Sequence, residues 1–234
     1  MGSANLLGGT GVQLGPVTVS EPVLTTWAIM FALGIGSWVV TRRLSLDPGP
    51  VQVVLEGLLG AADEAIQAVL PGHTRRLLPF IATLWLFIIA ANLSGLIPGV
   101  SAPTSHLSTT AALAVIVFVS VHWFGIRSQG IRAYLRHYFT PMPLMLPFHL
   151  MSELTRTLAL AVRLFGNMMS LEMAALLVLL VAGFLVPIPL LMLHIIEAVI
   201  QAYIFGMLAL IYIAGAIHSQ QSRQPQTQES SCVT

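Results

Sequence analysis

Six side chains that carry or exchange charge, Glu153, Arg156, Arg163, Glu172, His194 and Glu197, fall in the apolar last third of a 234-residue chain, with Asn167 and Gln201 among them. An Arg at mid-bilayer costs roughly 2.5 to 3.5 kcal/mol even on the gentlest scale, so such a cluster marks an ion path before anything else. Arg keeps its proton in proteins, so Arg163 can act only as a fixed positive charge that repels cations and attracts carboxylates. Glu172, His194 and Glu197 can take up and release protons.

Spacing divides these groups. On a helical wheel Arg156, Arg163 and Ser170 recur every seven residues on one stripe, with Asn167 beside it. His194, Glu197 and Gln201 stand at i, i+3 and i+7 on an otherwise aliphatic segment, a second polar stripe. Glu172, nine residues after Arg163, falls on the opposite side of its helix, so two separate polar environments are expected. Plainer uses stand beside these. Arg163 could bridge internally to Glu153 or Glu172, and Glu153 could pair with Arg156 near one end. His194 could be an interhelical hydrogen-bonding histidine, and Asn167 and Gln201 could be interhelical glue. His122 and Trp123 read as interfacial. His73, His106, His137, His149 and His218 are scattered, and no pair has the H-E-x-x-H spacing, so no metal is expected.

These residues need a membrane scaffold, and the composition supplies one. Hydrophobic residues make up 56% of the chain and charged ones 8%, against roughly 25% in soluble domains. All ten basic residues are Arg, too few for a polybasic nucleic-acid surface. The single Cys232 excludes a disulfide framework, and no phosphate-cradling glycine motif occurs, so neither nucleotide nor cofactor is expected. Met1–Ser20 has no basic residue ahead of the first apolar run, so it does not read as a cleavable signal.

The apolar runs predict an all-α membrane protein of about five crossing helices plus an interfacial one. Val23–Val40, Leu77–Ile97 and Leu107–Phe124 are three spans, and Val51–Leu70, with Glu56, Asp63 and Glu64, suits the interface. Pro147–Val186 stays helix-compatible until Val186-Pro187-Ile188-Pro189 forces a turn, and Leu190–Ser219 follows. Both exceed what a ~30 Å hydrocarbon layer requires, so they predict a long, strongly tilted hairpin. The organisation is then 1–76 (first span and interfacial helix), 77–140 (two spans and loops), 141–219 (the hairpin with the ion path) and 220–234 (a polar tail). Arg42, Arg43, Arg75, Arg76, Arg127, Arg132, Arg136 and Arg223 all fall on one side, which places the N-terminus outside and the C-terminus in the cytoplasm. No internal repeat supports an inverted-repeat transporter.

Leu158-Ala-Leu-Ala-Val-Arg163-Leu-Phe-Gly-Asn167-Met closely resembles the stator-arginine segment of subunit a of F-type ATP synthases. His194-x-x-Glu197-x-x-x-Gln201-Ala-Tyr-Ile-Phe205 is similar to that family's last helix, and Asn92-Leu-Ser-Gly-Leu-Ile-Pro98 to its N-L-x-G-L-I-P stretch. The resemblance covers at least residues 77–217. It implies that Arg163 faces a rotating ring of c subunits, that Glu172, His194 and Gln201 line a half-channel open to the outside with Asn167 at its boundary, and that Glu153 lies near a cytoplasmic half-channel. Thr157 stands where many members have proline. Glu197 accompanies both His194 and Glu172, whereas some members exchange Glu and His between these helices. The resemblance further implies a multi-pass protein of the bacterial plasma (inner) membrane, embedded in the bilayer and partnered by the c-ring and peripheral-stalk subunit b. It implies proton transport for ATP synthesis with no catalytic centre, nucleotide or cofactor in this chain. A Na+-translocating version of the subunit and a secondary ion-coupled transporter are the competing readings.

Overall fold

The structure, a computed structural model, describes residues 12–14, 17–42, 49–97, 102–130, 146–182 and 187–218. Among the described residues six helices carry the fold: α1 (Glu21–Arg42), α2 (Pro50–Val69), α3 (Thr74–Ser94), α4 (Leu107–Gln129), α5 (Leu146–Ala182) and α6 (Pro187–His218). A 3-10 turn at Pro103–Ser105 precedes α4. Five of the helices are long and apolar enough to cross a membrane, and α2 is not among them. The expected all-α membrane architecture is therefore the observed one.

α2 divides its faces as its composition requires. Ala62, Ile66 and, just past its end, Leu70 are buried, while Gln52–Glu56 and Gln67–Asp63 hydrogen bonds, each 2.7 Å, tie up the exposed polar stripe. The helix packs against α3 and α6. α1 buries Pro22 alone and leaves Trp27, Phe31 and Trp38 outward, surface suited to lipid or to another membrane chain.

The core lies among α3, α4, α5 and α6. α3 contributes Leu77, Ile81, Trp85 and Ile88, α4 Val117 and Val121, and α5 Leu160, Leu164 and Met168, all at helical spacing. α6 is lined by small residues, Ala198, Ala202 and Ala209, which let neighbouring backbones approach closely. A close approach occurs at Gly206. A Cβ there would overlap the indole of Trp85, which lies directly on the α6 backbone beside Tyr203.

Several details differ from the sequence expectation: the second span runs Thr74–Ser94, three residues ahead of the expected Leu77–Ile97 at both ends. Val12–Leu14 and Val17–Val19 pair as an antiparallel hairpin ahead of α1. The third span does not stop at Phe124 but continues to Gln129, so His122 sits within the helix rather than at its end. Pro187 and Pro189 open α6 instead of forming the turn before it, because a proline in the first helical turn gives up no hydrogen bond. Arg43, Arg132, Arg136, Arg223, His137, the 183–186 connection and the 220–234 tail lie outside the described residues.

Candidate functional site

α5 runs 37 residues and α6 runs 32, about 56 Å and 48 Å at the helical rise. Because α5 is unbroken from Leu146 to Ala182, its wheel holds throughout. One side, Leu160, Leu164, Met168 and Leu171, is buried. Arg156, Arg163 and Ser170 all lie exposed on another. Arg163 is the eighteenth of the 37 residues, at the middle of the helix. Among the described residues it makes neither an ion pair nor a hydrogen bond, so the internal bridge to Glu153 or Glu172 does not form.

Across the hairpin the second stripe turns inward. His194 and Gln201 are buried at 7% and 2% exposure, and Glu197 between them is half-buried. Asn167 Nδ2 donates to Gln201 Oε1 at 2.8 Å, joining the stripes of α5 and α6. The Gln201 Nε2 group has no partner and is buried. His194 Nε2 lies 3.2 Å from the backbone oxygen of Asn92 at the end of α3. The Asn92 side chain is fully buried: its Oδ1 accepts from Thr104 Oγ1 at 2.7 Å, and its Nδ2 donates to the Ala198 carbonyl at 3.4 Å. A polar seam thus runs from the 3-10 turn through α3 to α6, inside an otherwise apolar bundle.

Glu172 lies half a turn round α5 from Arg163 and is half-buried. No hydrogen bond links it to His194, Glu197 or Gln201 among the described residues. Glu153 lies elsewhere, toward the start of α5. Its Oε2 is 4.0 Å from His122 Nε2, while His122 Nδ1 is 2.8 Å from the Phe118 carbonyl. Arg156 does not pair with Glu153; its guanidinium sits over the Tyr212 ring, 5.6 Å from the centroid. Glu153, Arg156, Thr157 and Tyr212 border a small recess of about 10 Å³, room for roughly one water. No group of His, Cys, Asp and Glu suited to a metal occurs among the described residues.

The structure therefore brings Asn167 to Gln201, holds His194 on α3, and leaves Arg163 without an ion pair to any acid among the described residues. Sequence reasoning missed three participants. Asn92 is the side chain that organises the seam, although it appeared only within a terminal motif. Thr104 is fully buried and bound to it. His122 lies against Glu153, a contact its spacing did not indicate.

Comparison with known proteins identifies the family. The sequence pattern of the family described as ATP synthase A chain matches residues 23–214. ATP synthase subunit a 2 of Pelobacter propionicus is 63% identical over 217 residues, covering 93% of this chain and 95% of that protein. ATP synthase subunit a of Legionella pneumophila strain Paris is 56% identical over 222 residues, with 94% and 96% covered. Subunit a 1 of Hahella chejuensis is 57% identical over 219 residues, with 94% and 93% covered. The chain belongs to the ATP synthase A-chain family, subunit a of the F-type enzyme.

Proposed function

We propose that this chain is the proton-conducting stator of the membrane sector, working against a ring of c subunits with subunit b beside it in a bacterial plasma membrane. The observation that carries the reading is Arg163: an exposed guanidinium halfway along an apolar helix, with no acid of its own chain to neutralise it among the described residues. A cation so placed needs an anionic partner from outside, because an unpaired one in hydrocarbon is expensive. A rotor carboxylate meets that need and changes it cyclically.

In this mechanism protons enter from outside past Glu172, His194, Glu197 and Gln201, with Asn167 at the inner boundary. They neutralise a carboxylate of the ring, which can then pass into lipid. After nearly a full turn the carboxylate reaches the other path, bordered by Glu153, and releases its proton to the cytoplasm. Arg163 lies between the two routes. Its charge favours the ionised rotor carboxylate and repels any proton attempting the direct crossing. Each proton falling through 100 mV releases about 2.3 kcal/mol, which the ring converts to torque. Helices of ~56 Å and ~48 Å exceed a ~30 Å layer, so α5 and α6 incline and follow the curved side of the ring.

The test is Arg163→Ala in the assembled enzyme. Coupled ATP synthesis falls below detection while passive proton leak across the membrane persists or rises. Retained synthesis refutes the role.

A further inference from the structure

The proposed ion path lies along α5 and α6, but a well-formed cleft lies elsewhere. Where α3 begins and α4 and α6 end, a cavity of about 310 Å³ opens, with Arg76, Arg127 and His73 on its polar wall and Leu77, Trp123 and Phe124 on its apolar one. Its size is within the ~300–1,000 Å³ range of small-ligand sites. No carboxylate lines it among the described residues. Neither guanidinium has an ion pair or hydrogen bond among them, and the Nδ1 atom of His73 has no partner either. His73 is also the N-cap of α3, so the positive end of that helix adds to the same field. Two like charges sharing one cleft without a counter-charge repel each other, and an anion between them removes the repulsion.

The apolar wall narrows the choice of anion. Trp123 is 61% exposed and continues, at four-residue intervals, an exposed track of Val115 and Val119 down α4 toward the middle of the bundle. A free phosphate would use the cations and leave this track idle. A diacyl lipid would use both. Trp and Arg at the ends of crossing helices mark the headgroup level, and basic pockets between such helices hold acidic headgroups. We infer that the Arg76–Arg127 cleft binds the phosphate headgroup of an anionic phospholipid, with an acyl chain lying along Val115, Val119 and Trp123.

The experiment uses the full chain in nanodiscs, in a Trp27→Phe/Trp38→Phe background. Phosphatidylcholine discs carry a minor fraction of either phosphatidylglycerol or phosphatidylcholine with brominated acyl chains, and quenching of Trp123 is read. Trp123→Phe in the same background supplies the contribution of the buried Trp85, whose emission also reports an intact fold. Brominated phosphatidylglycerol is expected to be favoured roughly tenfold over brominated phosphatidylcholine. Arg76→Gln/Arg127→Gln, a double substitution in the polar wall, is expected to bring the two lipids to parity. Equal quenching in the unsubstituted cleft overturns the inference, as does a preference that survives the double substitution. Loss of the preference on adding inorganic phosphate, but not chloride at equal ionic strength, would assign the cleft to the free anion and overturn the lipid. Arg163 is untouched throughout, so the outcome is independent of proton conduction.

Discussion

α5 and α6 carry polar groups in the same hairpin, and the fold treats them in opposite ways. On α6, His194 and Gln201 are buried and each finds a partner, in the Asn92 carbonyl and the Asn167 amide. On α5, Arg163 is exposed and finds none among the described residues. A polar side chain satisfied within its own chain is held in place by that chain. One left without a partner among the described residues is, on the proposed function, matched to something the chain does not contain. On the function proposed above, the difference separates the residues that would shape a path from the residue that would meet a moving partner.

The most damaging way to erase that difference is to give Arg163 an internal acid. Ala159 is exposed on α5, four residues before Arg163, and a Glu followed by an Arg at i+4 is the favourable order for a helical ion pair. Ala159→Glu is therefore expected to neutralise the guanidinium without removing it. ATP synthesis in inverted vesicles should fall by roughly tenfold or more, with the chain still present in the membrane at normal abundance, if about 1.4 kcal/mol of the rotor's attraction to Arg163 is lost to the new pair. Unchanged synthesis would mean that Arg163 does not act as a free charge.

Glycine offers a second contrast between the two helices. A methyl group added at Gly166, next to Asn167 on α5, would find nothing within 4 Å, whereas one on Gly206 of α6 runs into Trp85. Gly206→Ala is expected to destabilise the isolated chain by about 1–3 kcal/mol, the usual cost of overpacking, and Trp85→Leu should recover part of it. Gly166→Ala is expected to leave the isolated chain unharmed, since Ala is the better helix former by about 1 kcal/mol. Any loss from Gly166→Ala should appear only when the ring is present. Thermal unfolding in detergent, set against activity of the assembled enzyme, separates the two.

These contrasts also show what a single sequence can and cannot carry. The stripes on α5 and α6 were legible because an unbroken helix converts spacing into direction, and Arg163, Ser170, His194 and Gln201 fall where their intervals put them. The partners were not legible, because periodicity fixes a face and not what the face meets. Asn92 and His194 are 102 residues apart, and nothing local to either encodes their meeting. The same holds for His122, whose nearest acid, Glu153, comes from another helix. The hairpin of Val12–Leu14 and Val17–Val19 had a local signal, alternating apolar and polar residues around Gly15-Pro16, but it is too short to register among long apolar runs. Pro187 and Pro189 were visible as a boundary, but proline ends one helix and begins another equally well, and only the structure distinguishes the two.

The smallest effect bears on where the two treatments meet. Asn167 lies beside Arg163 on α5, yet its amide is given to Gln201 on α6, so this one hydrogen bond crosses from the exposed stripe to the buried one. Interhelical hydrogen bonds in membrane proteins average about 0.6 kcal/mol and reach about 1.7, so a double-mutant cycle of Asn167→Ala and Gln201→Ala should give a coupling near the lower figure. The two single variants are not equivalent. Asn167→Ala leaves a buried Gln201 with its Oε1 unpaired as well as its Nε2, whereas Gln201→Ala leaves a half-buried Asn167 that can turn toward the outward face. Asn167→Ala should therefore cost more stability in the isolated chain, although Asn167 is the more exposed partner. Equal costs, or a coupling indistinguishable from zero, would mean that the hairpin is closed by its apolar packing alone and that the Asn167 amide is free to serve the Arg163 face.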